Sequence, residues 1–279
     1  MTISRRSFLA AASAAIGGAA ALQAAKKNIP IGLELFSVRG ELKKDEMETI
    51  RQVAKMGYKD VEFYAPYYSW TPEHAKDMRK LLDDVGMQCL STHNGMNVFE
   101  PANLSKTIDL NKTIGAKYVV CASAGRPKTL DDWKTIGNKL TTAMETLRPA
   151  GLRSGYHNHQ LEFTALDGKR PIEVIAANTP KDFMLQLDLG TCVEVGQDPI
   201  AWINANPGRI NSLHCKDWGK EKGYKVLFGE GEVPFKKVFE AAEKKGGLEF
   251  VLIEQEGSDY PEFETAKRCF DNYKHLRGA

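Results

Sequence analysis

Cysteine is scarce and badly spaced for cross-links: Cys89, Cys121, Cys192, Cys215 and Cys269 stand alone, with no CxxC pair in the 279 residues. An odd set of scattered thiols in a chain this long excludes a disulfide framework and a thiolate-rich structural zinc site. Cys89, Cys121 and Cys215 fall in segments predicted as strands, where free cysteine acts as a small buried hydrophobe. Excess charge is also lacking, at 38 Lys and Arg against 36 Asp and Glu. With no basic stripe to neutralise phosphates, nucleic acid is not an expected partner. A phosphate cradle is missing as well. The position after the first predicted strand holds Phe36-Ser37-Val38-Arg39-Gly40, and Gly229-Glu230-Gly231 is a lone GxG.

Long hydrophobic runs are lacking except near the start, where Ser4-Arg5-Arg6-Ser7-Phe8-Leu9 forms a twin-arginine pattern before an Ala-rich stretch to Leu22. That stretch is weakly apolar, whereas a membrane span needs about 20 strongly apolar residues. Residues 1–25 are therefore predicted to be a cleavable twin-arginine signal, with a mature chain starting near Ala25, exported to the periplasm and keeping no stable membrane anchor. Removing Arg5 and Arg6 leaves 36 basic and 36 acidic residues, so the mature protein is formally neutral.

What remains, residues 26–279, is undivided by any Pro/Ser-rich linker, and a loose repeat recurs along it. An amphipathic helix stops at a glycine and a short apolar strand follows, as in Met56-Gly57-Tyr58 before Val61-Glu62-Phe63 and Ile114-Gly115-Ala116 before Tyr118-Val119-Val120-Cys121. Strands are predicted near 30–37, 60–64, 88–93, 117–121, 154–159, 183–188, 210–215 and 249–254. Helical periodicity covers 47–56, 72–85, 104–114, 130–147 and 261–276, with shorter helices near 172–177, 199–205 and 234–245. Eight strand–helix units in roughly 250 residues predict a single parallel (β/α)8 TIM barrel of the α/β class.

Chemistry is concentrated at the ends of the later strands, which a barrel gathers at one mouth. Tyr156-His157-Asn158-His159 places two imidazoles on one strand face, with Glu162 just beyond. Asp188 ends Leu185-Gln186-Leu187, with a capping role as its simpler explanation. His214 precedes Lys216-Asp217, whose simpler explanation is a solvated ion pair. Glu254 ends an apolar strand, where a carboxylate is costly unless paired or bound to a cation, and Glu256 shares its parity. Glu162, Asp188, His214 and Glu254 form an oxygen-rich set suited to one divalent metal ion, with Mn2+ favoured and Mg2+, Co2+ or Zn2+ as alternatives.

The chain resembles the sugar phosphate isomerase/epimerase family of xylose isomerase-like TIM barrels, on Gly155-Tyr156-His157-Asn158-His159-Gln160-Leu161-Glu162-Phe163, Leu187-Asp188-Leu189-Gly190 and His214-Cys215-Lys216-Asp217. The resemblance implies one divalent metal held by Glu, Asp, His and Glu from strands five to eight. Asp188, His214 and Glu254 match by position. At strand five, His157 occupies the place of the family's first glutamate while Glu162 matches it chemically. Glu162 is favoured as ligand, and His157, His159 and Glu254 as acid/base residues. His93, Lys216, Glu62 and Trp70 are expected to contact substrate. The implied activity is isomerisation or epimerisation of a small sugar by proton abstraction beside a carbonyl, or β-elimination from a 3-keto-glycoside on the same site. Export favours a non-phosphorylated sugar or glycoside, and the sequence leaves oligomeric state open.

Overall fold

The computed structural model describes residues 29–278, so the predicted twin-arginine signal lies outside the described residues. Eight parallel strands close in sequence order: β1 (Ile31–Glu34), β2 (Asp60–Phe63), β3 (Gln88–Gly95), β4 (Tyr118–Ser123), β5 (Arg153–His157), β6 (Met184–Asp188), β7 (Ser212–Cys215) and β8 (Phe250–Ile253). β8 returns to β1 through Ile31 opposite Val251 and Leu33 opposite Ile253, which leaves no free edge. The single parallel barrel expected from the repeat is the architecture observed.

Each crossover helix buries an apolar stripe against the outside of the sheet. In Leu130–Leu147, Trp133, Ile136, Leu140, Met144 and Leu147 recur at helical spacing and are all buried. Thr129 and Asp132 start this helix with a reciprocal capping box. Gly57 ends Glu46–Met56 at φ 110°, and a Cβ there would meet the Phe270 ring at 2.6 Å.

Inside the barrel, Tyr118, Val120, Met184, Phe250 and Leu252 pack into an apolar plug. A side chain at Gly32 would lie 2.6 Å from Leu252, so that position stays bare to let the plug close. Alternate positions then climb out of the plug toward the strand ends: Phe250, Leu252, Glu254 along β8, and Met184, Gln186, Asp188 along β6. The apolar layer is a floor, and polar side chains stand on it.

Local structure departs from expectation after β1, β5 and β6. β5 ends at His157, so His159 is not on the strand but precedes the helical turn Gln160–Phe163. Helices Arg39–Lys44 and Leu189–Glu194, unannounced by a long periodic pattern, follow β1 and β6. All five cysteines are buried and free, as their isolation implied. Among the described residues, no helix is long and apolar enough to cross a membrane.

Candidate active site

His157, Asp188, His214 and Glu254 come from the ends of β5, β6, β7 and β8, and their donor atoms all lie within 4.8 Å of one another. All four residues are buried. Asp188 Oδ1 accepts from the Thr191 amide at 2.8 Å and its hydroxyl at 2.9 Å, so its capping role is real. Among the described residues its Oδ2 has no hydrogen-bond partner: Lys216 Nζ approaches to 3.3 Å without hydrogen-bond alignment, and His157 Nε2 lies at 4.0 Å. One carboxylate thus both caps a helix and aims a free oxygen into the group.

Outer contacts fix the imidazoles. His157 Nδ1 lies 3.2 Å from Gln186 Oε1, and with the proton on Nδ1 the Nε2 lone pair faces Asp188. His214 is held from both sides, Nδ1 to Glu254 Oε2 at 2.7 Å and Nε2 to Glu62 Oε2 at 2.6 Å. Burial opposes charge on His214, but Glu62 and Glu254 outweigh it and push its pKa up to about 10. The opposite holds for His157, where burial, then the neighbouring His214 and His93, keep the pKa well below the usual imidazole range. Glu254 would be raised by burial, yet Lys216 and His214 hold it well below the carboxylate range.

His93 stacks on His214 with centroids 4.7 Å apart, and its Nε2 lies 2.6 Å from Gln186 Oε1. Burial lowers its pKa to about 4. Glu62 sits fully buried under the imidazoles, binding His214 while Gln186 donates to its Oε1 at 3.0 Å, so it supports the site from below rather than lining its mouth. Lys216 is 1% exposed and reaches Glu254 at 2.9 Å and Glu256 at 2.6 Å. The solvated Lys216–Asp217 pair does not form. Successive residues face opposite ways, and Asp217 instead accepts the amides of Trp218, Gly229, Gly231 and Val233.

Two expectations need correcting. Glu162 does not enter the converging group: Oε1 accepts from Tyr156 Oη at 2.8 Å and Oε2 from the His159 amide at 2.8 Å, which seats it as the closing carboxylate of a helical turn. His157, the positional match, stands there instead. Trp70 packs edge-on against Phe63 at 4.9 Å and Tyr67 at 5.9 Å and is absent from the cleft wall. The aromatic wall is Phe36, Tyr64 and Tyr224.

Above the buried cluster opens a cleft of about 440 Å³, reached by His93, His157, His159, Glu254 and Glu256. His159 keeps its place beside the chemistry although it left the strand, its ring 4.8 Å from that of His157. Sequence reasoning missed Glu34, which lines the same cleft. Its signal was available: Ile31-Gly32-Leu33-Glu34 is another apolar run ending in an acid. Burial, then Glu254 on the neighbouring strand, raise its pKa well above the usual range. Gln186 was also overlooked, though it shares the inward parity of Asp188.

Comparison with known proteins bears on the fold and the family. A sugar phosphate isomerase/epimerase from Parabacteroides distasonis superposes with a TM-score of 0.76 at 26% identity, covering 90% of this chain and 95% of that one. The IOLI protein, solved with a bound zinc atom, superposes at 0.68 with 16% identity over 89% of this chain and 96% of its own, a likeness of fold. An inosose dehydratase from Lacticaseibacillus casei is 23% identical over 248 residues, covering 75% of this chain and 81% of the relative. Residues 50–273 match the profile of the xylose isomerase-like TIM barrels, and the chain belongs to that family.

Proposed function

We propose that the protein is a divalent-metal-dependent sugar isomerase or epimerase that moves a proton beside a carbonyl through an enediolate, acting on a non-phosphorylated sugar. The observation that carries this reading is the buried quartet His157, Asp188, His214 and Glu254, with the unpartnered Asp188 Oδ2 inside it, beneath an open cleft. Two imidazoles and two carboxylates suit Mn2+, Co2+ or Zn2+ better than Mg2+, which prefers oxygen donors. These four residues would hold the cation. When bound, it supplies Lewis-acid polarisation of the substrate carbonyl.

The chain's own groups do the rest. Gln186 sets the His157 tautomer, Glu62 steadies His214, and Lys216 balances the surplus of carboxylates. His159 and His93 are the imidazoles on the cleft wall outside the quartet, and we assign His159 the transfer of the proton to and from substrate carbon. His93 contacts the substrate from the β3 side of the cleft.

The dehydratase relative favours one second reading, in which the same enediolate expels a group at the β carbon and the enzyme is a lyase on keto-glycosides. One experiment separates them. Metal-loaded protein in D2O is followed by proton NMR with free aldoses, ketoses and 3-keto-glycosides, with and without chelator. Chelator-sensitive deuterium uptake beside a carbonyl is expected, and the product identifies isomerase or lyase. A complete lack of exchange would sink both.

Export of the folded, metal-loaded protein by the twin-arginine route belongs to the same proposal, resting on Arg5 and Arg6. Replacing both by Lys should retain active protein in the cytoplasm. Unchanged export in a fractionation assay would remove that part.

A further inference from the structure

Glu34 offers an oxygen that the described residues leave unused. It ends β1, is 1% exposed, and lines the cleft. Its Oε2 accepts from the Phe36 amide at 2.9 Å, which fixes the side chain at the start of the turn Leu35–Val38. Among the described residues, its Oε1 has no hydrogen-bond partner. Buried polar atoms are nearly always paired, so an orphan on a side chain that lines a cleft points to a group the cleft receives. The metal-binding quartet does not include Glu34, so this oxygen stands outside the proposed cation site.

The turn that Glu34 caps carries Phe36 into the same cleft. Phe36 meets Tyr64 edge to face, with ring centroids 5.4 Å apart. Arg39 lies over the Phe36 ring at 4.4 Å and donates to the Glu256 carbonyl at 2.9 Å, which ties the aromatic corner to the segment after β8. A fixed carboxyl oxygen beside a braced aromatic corner matches a saturated ring with hydroxyls at its rim and C–H bonds on its faces. An open-chain polyol presents no such face.

Resting on the sugar reading above, we propose that Glu34, Phe36 and Tyr64 form a subsite for a cyclic sugar. A ring hydroxyl hydrogen-bonds with Glu34 Oε1 while ring C–H groups pack on Phe36. The substrate class narrows to sugars bound as rings that carry the carbonyl on a ring carbon, as 3-keto-glycosides do, with that carbonyl directed toward the quartet.

The test uses the metal-loaded full chain and non-reacting probes: methyl β-D-glucopyranoside and myo-inositol as rings, sorbitol as the open chain. Binding is followed by calorimetry and saturation-transfer NMR, with metal content measured on every variant. At least one ring probe is expected to bind wild type more tightly than sorbitol. Glu34→Leu should weaken that probe about tenfold at unchanged metal content, the loss of one hydrogen bond plus an unmatched hydroxyl. Glu34→Gln, which keeps its oxygen on the Phe36 amide and presents a polar amide nitrogen in place of Oε1, should restore most of the affinity, and Phe36→Ala should weaken rings while leaving sorbitol unaffected. Equal binding by wild type and Glu34→Leu would overturn the subsite. So would loss of metal in that variant, or failure of both rings to bind wild type. Deuterium exchange reads the reaction separately: binding sensitive to Glu34 without any exchange would remove the proposed chemistry and keep the subsite.

Discussion

At the residue scale, the informative contrast is between His157 and Glu162. Chemistry favoured Glu162, because the resemblance implied a glutamate ligand. Position favoured His157, and the structure brings His157 into the converging group while Glu162 closes a turn with both oxygens occupied. Sequence could not decide because five residues separate them, and whether the strand ran to 159 or stopped at 157 was invisible to alternation alone. The two substitutions should therefore part company. His157→Ala is expected to lower metal content at least tenfold, in line with the loss of a direct ligand. Glu162→Gln should keep its metal and lose about 1–2 kcal/mol of stability through the weakened cap. Metal analysis and urea midpoints check both. Metal loss in Glu162→Gln with retention in His157→Ala would reverse the assignment.

At the element scale, long periodic segments were legible and short ones were not. The helices 104–114 and 130–147 lie at the predicted bounds because each carries a full apolar stripe and a clear stop. Arg39–Lys44 and Leu189–Glu194 are six residues each, too short for periodicity to distinguish them from loop. Loops hid most, and the segment after β7 is the leading case. Asp217 gathers four of its amides, and a Cβ at Gly231 would collide with that carboxylate. The loop carries Tyr224, whose hydroxyl accepts from Gln160 at 2.8 Å and whose ring lies 5.3 Å from Lys216 Nζ at the cleft. Asp217→Ala is accordingly expected to cost about 2–4 kcal/mol by stranding these amides. With Tyr224 released, KM should rise more than kcat falls, and metal content should hold. A substitution without effect on stability or KM would show that the loop is not organised through Asp217.

For the whole molecule, closure of the barrel is what makes residues at 157, 188, 214 and 254 one site, and it was legible because the strand–helix repeat fixes the topology. On the proposed function, the same closure would link cation binding to folding, since the quartet ties four consecutive strands together. In the metal-free protein, His214 is doubly protonated between Glu62 and Glu254, so a proton holds the nitrogen facing the quartet. A cation binding there must displace it. The sign follows from the raised pKa. His214 contributes stability that is fully present below the unfolded pKa of about 6.5 and is lost as pH rises through about 10. Stability of the metal-free protein should decline across that interval. Metal affinity should climb over the same range, because less proton remains to be displaced, and bound cation stabilises by about 2.7 kcal/mol at a hundredfold excess over Kd. The gap in Tm between metal-loaded and stripped protein should therefore widen steadily from pH 6.5 to 10. At pH 7.5, calorimetry in buffers of different ionisation enthalpy should record release of about one proton per cation bound. A gap independent of pH, together with no proton release, would mean that His214 does not exchange its proton for a metal ion.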